Sequence, residues 1–430
     1  MAFKKKRPKE EIAKYQRLVE QTTYKKGSKY YKEMDHLCFL SKNLYNVTLY
    51  HRRQSFFSDE GLISFYDLKK KFVKEDQPDY RALPAKVSCQ IQMLVDQNFS
   101  AFFALLKKKK NGSYDKDVHL PKYLKKDKGR QVVIYPKDAL FFVKAGFVGL
   151  SKTKIFIPTK QNKENILQVR LVPKNGYVVV EVVYEVLKEK ALKKKNRYAA
   201  IDIGMNNLMA ISSNVFDPVI INGKPVKSIN EFYNKKIAEA KSQAMTLEGL
   251  YITNRIRNLY RRRSSKLKDY MHKATAELVN LLVSNNIDTV IIGENKSWKQ
   301  DINIGRKNNR EFVNIPFYIM KSMIKYKCGM RGIEVIFHEE SYTSKASFID
   351  KDKIPAYNKN RKKKPKFSGT RVKRGLYKSA DGSLVNADIN GASNIMKKAL
   401  LKRGLWSDVL FTEIVQRITK NPVKQNIRIA

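Results

Sequence analysis

The stretch that decides the fold is Tyr198-Ala-Ala-Ile-Asp-Ile-Gly-Met-Asn-Asn-Leu-Met-Ala-Ile-Ser212. Tyr198–Ile203 is apolar except for one acid, and such a run predicts a strand buried on both faces of a sheet. Leu208–Ser212 is predicted to be its hairpin partner. The acid is Asp202, near the end of the strand. A carboxylate at that point lies at the edge of the sheet, where α/β folds usually bind ligands.

Two further acids occupy similar places later in the chain. The apolar strand Thr289–Gly293 leads into Glu294, and the helical pattern Asn386–Leu401 carries Asp388 near its start. The intervening periodicity predicts three helices and one strand, at Ile229–Gln243, Tyr251–Ser284, Ile315–Gly332 and Ile333–Phe337 respectively. Strands that alternate with helices after a leading hairpin predict an α/β sheet covered on its faces.

Three carboxylates at one sheet edge can hold one or two Mg²⁺ ions, because Mg²⁺ prefers hard oxygen ligands and keeps several waters. Two metal ions about 3.5–4 Å apart activate a water and stabilise the leaving oxygen of a phosphodiester. The alternative is that each acid caps a helix or lies at the surface, which is the commoner case for a single acid after a strand. That alternative weakens for three acids at matching ends.

The charge of the chain indicates a polyanionic partner. Lys and Arg number 87 against 40 Asp and Glu, which gives a formal net charge of +47. A folded protein of that charge repels itself unless a polyanion neutralises it, and nucleic acid is the obvious counter-charge. Charge alone would also fit a basic RNA-binding or ribosome-associated protein with no nuclease role.

Cysteine usage and hydropathy exclude several classes of protein. The three cysteines, Cys38, Cys89 and Cys328, form no CxxC pair, which fits a reducing cytoplasm and argues against a disulfide framework. The basic N-terminus is followed by no apolar stretch, so we expect no signal peptide. The sequence has no run of about 18 apolar residues, so we expect no transmembrane helix.

The first half of the chain changes from a helical to a strand pattern. Apolar residues recur at helical spacing from Tyr31 and again from Pro84, which predicts a small helical domain. Short strand patterns follow from Arg130 to Leu187, with a hairpin turn at Pro173-Lys-Asn-Gly176. Several short strands at this spacing predict a small antiparallel barrel.

The words around the three acids resemble a known family. They are similar, in the right order, to the three RuvC motifs of the TnpB family, the transposon-encoded relatives of type V CRISPR nucleases: Ile201-Asp-Ile-Gly-Met-Asn-Asn-Leu208, Val290-Ile-Ile-Gly-Glu-Asn-Lys-Ser-Trp298 and Asn386-Ala-Asp-Ile-Asn-Gly-Ala-Ser-Asn-Ile395. Four other words also resemble TnpB proteins: Leu83–Val87, Pro121–Leu124, Lys224–Ile229 and Glu340–Lys345. The resemblance therefore covers residues 30–400.

The resemblance implies an α/β RuvC nuclease domain of RNase H fold, preceded by an N-terminal β-barrel wedge domain that a small helical recognition domain interrupts. The implied division of the chain is as follows: the start of the wedge at 1–30, the recognition domain at 31–112, the wedge barrel at 113–190, a basic linker at 191–197, the first two RuvC motifs at 198–341, a degenerate zinc-ribbon-like target-strand insert at 342–383, the third motif at 384–405 and a tail at 406–430.

The resemblance also implies an RNA-guided DNA endonuclease in which Asp202, Glu294 and Asp388 are the catalytic acids and hold two Mg²⁺ ions. The implied partners are a guide RNA from the transposon end and target double-stranded DNA beside a short adjacent motif. Glu294 has rivals in Glu339 and Glu340, because its surroundings depart from the family's apolar-Glu-Asp-Leu pattern. We expect a location in a prokaryotic cytoplasm, on the nucleoid when DNA is bound, and no membrane partner. The choice between monomer and dimer stays open.

Members of the family usually carry a zinc ribbon with two CxxC pairs between the second and third motifs. In this chain Ser347 and Asp350 stand where the first pair would fall, and Arg371 and Arg374 stand near the second. Arginine has no free lone pair for zinc, and Cys is the ligand that such sites need. We therefore expect no zinc.

Basic residues interleaved with aromatics predict the nucleic-acid surfaces, because they suit contact with backbone phosphates and stacked bases. The candidates lie on the helix between the first two motifs, in a basic loop before the third motif, and in the N-terminal half, where one helical face is a candidate reader of the adjacent DNA motif: Arg261, Arg262, Arg263, Lys266, Lys362, Lys363, Lys364, Tyr45, Tyr50, Arg52, Arg53, Gln54 and Lys122. The alternatives are a solvated basic helix face and, for Tyr45, a place in the core.

Three versions of the guided function remain open. The first is an active RNA-guided endonuclease, the second is a nuclease-inactive RNA-guided DNA-binding repressor, and the third is recruitment as a compact CRISPR type V effector. The intact acids favour cutting, because nothing but metal chemistry requires all three.

Overall fold

The computed structural model describes residues 8–58, 61–143, 146–295, 315–358 and 365–427. The chain divides into two compact units, Met1–Leu187 and Lys188–Ala430. Each unit has its own sheets and its own buried core. Within the described ranges, no helix is long and apolar enough to cross a membrane.

The first unit is helical in its first two thirds, after one long strand. Its elements there are α1 (Lys9–Ala13), β1 (Tyr15–Lys25), α2 (Tyr31–Phe57), α3 (Phe65–Lys74), α4 (Pro78–Arg81) and α5 (Ala85–Lys110). Helix α5 follows Pro84 and ends in four lysines, whose charges suit the negative end of the helix dipole. The helices predicted from Tyr31 and Pro84 are confirmed. Strand β1, with its alternating burial, was not predicted.

Six strands complete the first unit: β2 (Val133–Pro136), β3 (Leu140–Val143), β4 (Phe147–Leu150), β5 (Phe156–Pro158), β6 (Ile166–Lys174) and β7 (Tyr177–Leu187). The predicted hairpin is confirmed, because β6 and β7 pair on either side of Asn175-Gly176. The described strands form two antiparallel sheets, in the orders β1-β7-β6-β2 and β3-β4-β5, instead of one closed barrel. A short helical turn at Lys137–Ala139 separates the two sheets along the chain.

Helices and strands of the first unit share one core. Met34, Leu44 and Val95 from the helices belong to the same buried cluster as Val169 and Val180 from the sheet. Burial of such side chains stabilises the fold by about 1.5–3 kcal/mol each. The predicted boundary between residues 112 and 113 therefore lies inside a single compact unit.

The second unit contains the stretch Tyr198–Ser212 and an α/β sheet. Its elements are β8 (Tyr198–Ile203), β9 (Asn207–Ser213), β10 (Val219–Asn222), α6 (Lys224–Glu248), α7 (Asn254–Ser284), β11 (Thr289–Glu294), α8 (Phe317–Met330), β12 (Glu334–Glu339), β13 (Thr370–Lys373), β14 (Leu376–Lys378), β15 (Leu384–Asn386), α9 (Ala387–Lys402), α10 (Asp408–Ile418) and β16 (Val423–Gln425). The predicted strands and helices of this region are confirmed with shifts of a few residues at their ends.

The main sheet of the second unit has six strands in the order β12-β11-β8-β9-β10-β16. Strands β8, β9 and β10 form an antiparallel meander, and β11 and β12 run parallel to β8. The C-terminal residues, which were expected to be a tail, form α10 and the edge strand β16 beside β10. Strands β13, β14 and β15 make a separate small sheet.

Both faces of the main sheet are buried, as the apolar run in β8 predicts. Ala199, Ile201 and Ile203 face a core that includes residues of α6, α7 and α8. Tyr198 and Ala200 face the other core, which includes residues of α9 and α10. Because successive side chains of a strand point to opposite faces, this alternation fixes where each acid at a strand end can point.

Candidate active site

Asp202 and Asp388 line the same cleft. Asp202 is the fifth residue of β8, and Asp388 is the second residue of α9, which crosses the end of that strand. Asn207, Ser344, Arg371 and Arg374 complete much of the cleft wall, the last three from residues between the second and third motifs. Two predicted acids that lie far apart in sequence thus come together at the sheet edge.

Both carboxylate oxygens of Asp388 accept hydrogen bonds. Asn207 Nδ2 donates to Oδ2 over 2.7 Å, and Arg371 Nη2 donates to Oδ1 over 3.0 Å. The helix begins here because Asn386 caps it, accepting hydrogen bonds from the backbone amides of Asp388 and Ile389. The Asp388 carboxylate is therefore oriented by a cap, an amide and a guanidinium group.

Asp202 lies close against the helix that carries Asp388. A Cβ atom added at Gly391 would lie 2.7 Å from Asp202 Oδ2, so any larger residue there would force this carboxylate to shift. Burial raises the pKa of Asp202 to about 7, and the charges of Glu340 and Asp388 add to the effect, while Arg371 and Lys321 oppose it. Asp202 thus sits in a field of like charges that a cation would relieve.

Glu294 leaves the sheet on the other side from Asp202. Val290 and Ile292 of β11 face the core beneath α6, α7 and α8, and alternation directs Glu294 to that same face. The nearby cation is Lys321 of α8, which interacts electrostatically with Glu340, Glu294 and Asp202. The structure therefore does not bring Glu294 into the cleft formed by Asp202 and Asp388, and its role as third acid stays a prediction.

Of the two rivals of Glu294, Glu340 lies closer to the acid group. A Cβ atom added at Gly293 would overlap the Glu340 Oε2 atom, so the Glu340 carboxylate lies directly over Gly293. Burial raises the pKa of Glu340, with Lys321 opposing and the charges of Glu339 and Glu294 adding to the rise. Glu340 contributes to the raised pKa of Asp202, which indicates that the two carboxylates are neighbours.

Glu339 is already used as a structural ion pair. Its carboxylate binds Lys398 of α9 and accepts a hydrogen bond from the Ser341 amide. Burial would raise the pKa of Glu339, but these hydrogen bonds outweigh it and leave the pKa below its usual range. Glu339 is therefore the weaker of the two alternatives as a metal ligand.

The chemistry of these side chains fits Mg²⁺. Carboxylates are the hard oxygen ligands that Mg²⁺ prefers, and Asp202 is held among other acids at the sheet edge. In the arrangement described, no group of three carboxylate, imidazole or thiolate side chains stands ready to hold a metal ion. Arg371 and Lys321 partly compensate the negative charge of these acids.

Hydrogen bonds stabilise the segment 342–383, which was expected to be a degenerate zinc-ribbon-like insert. Asn390 and Asn394 of α9 both donate to the Ala346 carbonyl oxygen, and Asn390 accepts a hydrogen bond from the Phe348 amide. Asp352 accepts hydrogen bonds from the amides of Ser347 and Ser368. Phe348 packs in the core beside these hydrogen bonds, and its ring is fully buried.

The two positions of the first expected cysteine pair also make hydrogen bonds. The Asp350 amide donates to Ser347 Oγ over 3.3 Å, and the Asp350 carboxylate accepts a hydrogen bond from the Ala380 amide over 2.9 Å. Asp350 therefore links the position of the first expected pair to Ala380, just after β14.

The candidate nucleic-acid residues fall into four groups, of which the last, a buried pair, is described separately below. Five are exposed: Tyr50, Gln54, Lys122, Arg262 and Lys266. Three are half-buried, and one of these, Arg263, donates a hydrogen bond to Asn230 of α6; the group is Arg53, Arg261 and Arg263. Lys362, Lys363 and Lys364 lie outside the described residues, so their role stays a prediction.

Tyr45 and Arg52 require a correction. Tyr45 is 4% exposed and Arg52 is 5% exposed, so neither side chain can reach nucleic acid from the helix surface. The Tyr45 hydroxyl accepts a hydrogen bond from Asn98, and Arg52 is paired with Asp96 and bonded to the Ile63 carbonyl oxygen. A buried cation is tolerated only when it is paired in this way, and both residues are structural.

The sequence analysis missed four residues around the acids: Asn207, Arg371 as a partner of Asp388, Lys321, and the glycine at 391. Asn207 lies within the first quoted motif, but nothing in the sequence showed that its side chain reaches Asp388. Arg371 and Lys321 gave no local signal, because each reaches the acids from an element that is distant in sequence.

The sequence matches two family models. Residues 181–299 match OrfB_IS605, described as a probable transposase, and residues 317–395 match the TNB domain of Cas12f1-like proteins. A curated relative, the TnpB-like protein ORF457 of Acidianus two-tailed virus, is 23% identical over 416 residues, with 86% of this chain and 84% of that protein covered. Together these matches support the TnpB family as that of this chain.

A solved structure supports the fold of this chain. The cryo-EM structure of the Cas12f1-sgRNA-target DNA complex matches with a TM-score of 0.50 at 15% identity and covers 85% of this chain and 82% of that chain. At this identity the likeness concerns the mixed α/β fold. The chain differs from the zinc-ribbon pattern in having no CxxC pair among its three cysteines.

Proposed function

We propose that this TnpB-family protein is an RNA-guided endonuclease that hydrolyses phosphodiesters of double-stranded DNA at a single RuvC-type site. The observation that carries the proposal is the pair Asp202 and Asp388, brought to one cleft from distant parts of the chain. The leading meander β8-β9-β10 and the parallel strands β11 and β12 are consistent with the RNase H fold that the three motifs imply. The first unit would supply the recognition and wedge functions.

In this proposal, Asp202 and Asp388, with Glu294 or Glu340 as the third acid, would hold two Mg²⁺ ions. When bound, these ions would supply activation of the attacking water and stabilisation of the leaving oxygen. Asn207 and Arg371 orient the Asp388 carboxylate. Arg371 is 42% exposed and can also meet a phosphate oxygen of the substrate with its free N–H groups. Gly391 keeps the space that Asp202 needs.

The proposed partners are a guide RNA from the transposon end and a target DNA beside a short adjacent motif. A net charge of +47 favours a long polyanionic partner such as nucleic acid. Arg262 and Lys266 present exposed positive charge on α7. Guide RNA and target DNA are present in the Cas12f1 complex, by its name. Tyr50, Arg53 and Gln54 remain candidates for contact with the adjacent motif. Lys122 remains a candidate for nucleic-acid contact in general, and Lys362, Lys363 and Lys364 for contact with RNA.

The test begins with the full chain expressed together with the DNA that flanks its gene. The RNA that co-purifies should be sequenced, and a plasmid that carries the matching target should be incubated with the complex in Mg²⁺ or in EDTA. We expect one defined RNA and cutting only in Mg²⁺. Guided binding without cutting would favour the repressor function, and absence of a specific RNA would contradict guidance altogether.

A further inference from the structure

Lys321 is a cation of α8 that the proposed chemistry does not yet use. Its Nζ donates a hydrogen bond to the carbonyl oxygen of Gly293 over 2.7 Å. Gly293 is the residue directly before Glu294 at the end of β11. The lysine therefore ties the helix α8 to the point where the second motif leaves the sheet.

The Glu340 carboxylate holds the same residue from another side. It lies over Gly293, in space that any side chain at that position would occupy. Lys321 interacts electrostatically with Glu340, with Glu294 and with Asp202. One ammonium group thus lies among three acids and is also bonded to the backbone between them.

The alternation of β11 explains why such a link is needed. Asp202 and the side of Gly293 on which a Cβ atom would lie belong to the face of the sheet that α9 covers. Glu294 is directed to the face that α8 covers. A site built from Asp202 and Glu294 has to draw acids from both faces around the sheet edge. Lys321 and Glu340 are placed at that edge.

We propose that Lys321 is a positioning residue of the acid site, which fixes the end of β11 and, with Glu340, sets the place of Glu294 relative to Asp202. This inference rests on the proposed function, because it assigns Lys321 to the same metal-binding site. Residues that orient metal ligands typically change metal affinity or activity by about 10- to 100-fold when they are removed.

A simple electrostatic role predicts the opposite result. If Lys321 only adds positive charge, then its removal takes away a repulsion between the lysine and a bound dication. The affinity for the dication should then rise. If Lys321 positions the acids, then its removal should weaken binding although the charge balance favours it. The sign of the change in affinity therefore separates the two roles.

The test is calorimetric titration of the full RNA-free chain with Mn²⁺ as the probe, with an Asp202→Asn, Asp388→Asn double variant as the background. We expect Lys321→Met to weaken Asp202-dependent Mn²⁺ binding by about tenfold or more. Lys321→Arg keeps a donor for the Gly293 carbonyl oxygen and should restore most of the affinity. The matched control is Lys325→Met, which removes an exposed charge one turn further along α8.

Two further measurements keep the result interpretable. Thermal unfolding should show that Lys321→Met is folded; if it is not, Lys321→Gln, which is shorter and uncharged but still polar, takes its place and should weaken Mn²⁺ binding in the same direction. Unchanged or tighter Mn²⁺ binding in these variants would overturn the positioning role. Loss of Mn²⁺ binding together with a wild-type protein that never cuts guided DNA would refute the nuclease proposal and leave the role of Lys321 supported.

Discussion

Arg371 donates a hydrogen bond to Asp388 over 3.0 Å, from the small sheet that lies in the expected zinc-ribbon segment to the first turn of α9. The other Asp388 oxygen is bound by Asn207, so this acid is held from two sides. An arginine that stands near an expected cysteine position thus contacts an acid of the proposed active site. The segment in which the cysteine pairs are missing therefore contacts a residue of the proposed active site.

Replacing Arg371 with alanine should slow guided cleavage about 10- to 100-fold, because Asp388 loses one of its orienting partners. Arg371→Lys should restore only part of the rate, since an ammonium group lacks the planar fork of the guanidinium. The rate of cleavage with excess complex over target measures the effect, and filter binding of the guide RNA should be unchanged. Lys373→Ala, on the same exposed strand, is the control. Equal rates for the two variants would show that Arg371 is only a surface cation.

Gly391→Ala should abolish most cleavage while leaving the protein folded. The added Cβ would lie 2.7 Å from Asp202 Oδ2, so the carboxylate has to move. In a helix, alanine is otherwise favoured over glycine by about 1 kcal/mol, which offsets part of the strain. Gly329→Ala on α8, where nothing lies within 4 Å of the new atom, is the matched control. We expect the control to cut normally and to unfold at a slightly higher temperature; normal cutting by Gly391→Ala would contradict the placement of Asp202.

The contribution of Asp202 to the stability of the metal-free protein should fall as the pH rises from about 4 to about 7. Burial, with the charges of Glu340 and Asp388, raises the pKa of Asp202 from 3.8 to about 7. The folded chain therefore binds more protons than the unfolded chain in this window, and stability is lost as the carboxyl ionises. The effect is at most roughly 4 kcal/mol, since one pKa unit corresponds to about 1.4 kcal/mol.

Thermal unfolding in EDTA, followed from about pH 5 to pH 8, measures this effect. Asp202→Asn removes the ionising group and should flatten the profile, with the largest gain in stability at the upper end of the range. A wild-type profile with the same slope as that of Asp202→Asn would mean that Asp202 ionises at its ordinary pKa in the folded protein.

The segment between the second and third motifs should depend on Asp352 and not on zinc. Asp352→Ala leaves the amides of Ser347 and Ser368 without their acceptor and should lower the free energy of unfolding by about 1–3 kcal/mol. Asp408→Ala removes an exposed ion pair with Lys351 and should cost less. A zinc chelator should leave the unfolding temperature unchanged. Stoichiometric zinc in the purified protein would contradict this account of the segment.

The sequence predicts the α/β sheet well because the buried strands are continuous apolar runs. β8 and β11 are recognisable from their apolar composition, and each carries its acid at or near the end of the apolar run. Asp388 is similarly predictable, because a helix cap and an apolar helical pattern surround it. These signals are local, so one sequence suffices to find them.

The contacts among the acids were not predictable in the same way. The position of Glu340 over Gly293 depends on how two strands end beside each other, and the reach of Lys321 depends on how α8 packs. The errors at Tyr45 and Arg52 have the same origin, since the polar partners Asn98 and Asp96 come from another helix. A helical face shows its residues in the sequence, but not what covers it.

The most direct test of the central claim compares Asp202→Asn with Asp217→Asn in guided plasmid cleavage with Mg²⁺. Asp217 is paired with Lys420 away from the cleft, so its variant controls for the loss of one acid. The account predicts that Asp217→Asn cuts like wild type, whereas Asp202→Asn binds guide RNA and target but yields no cut product above the EDTA background. Guided cutting by Asp202→Asn at the wild-type rate would contradict it.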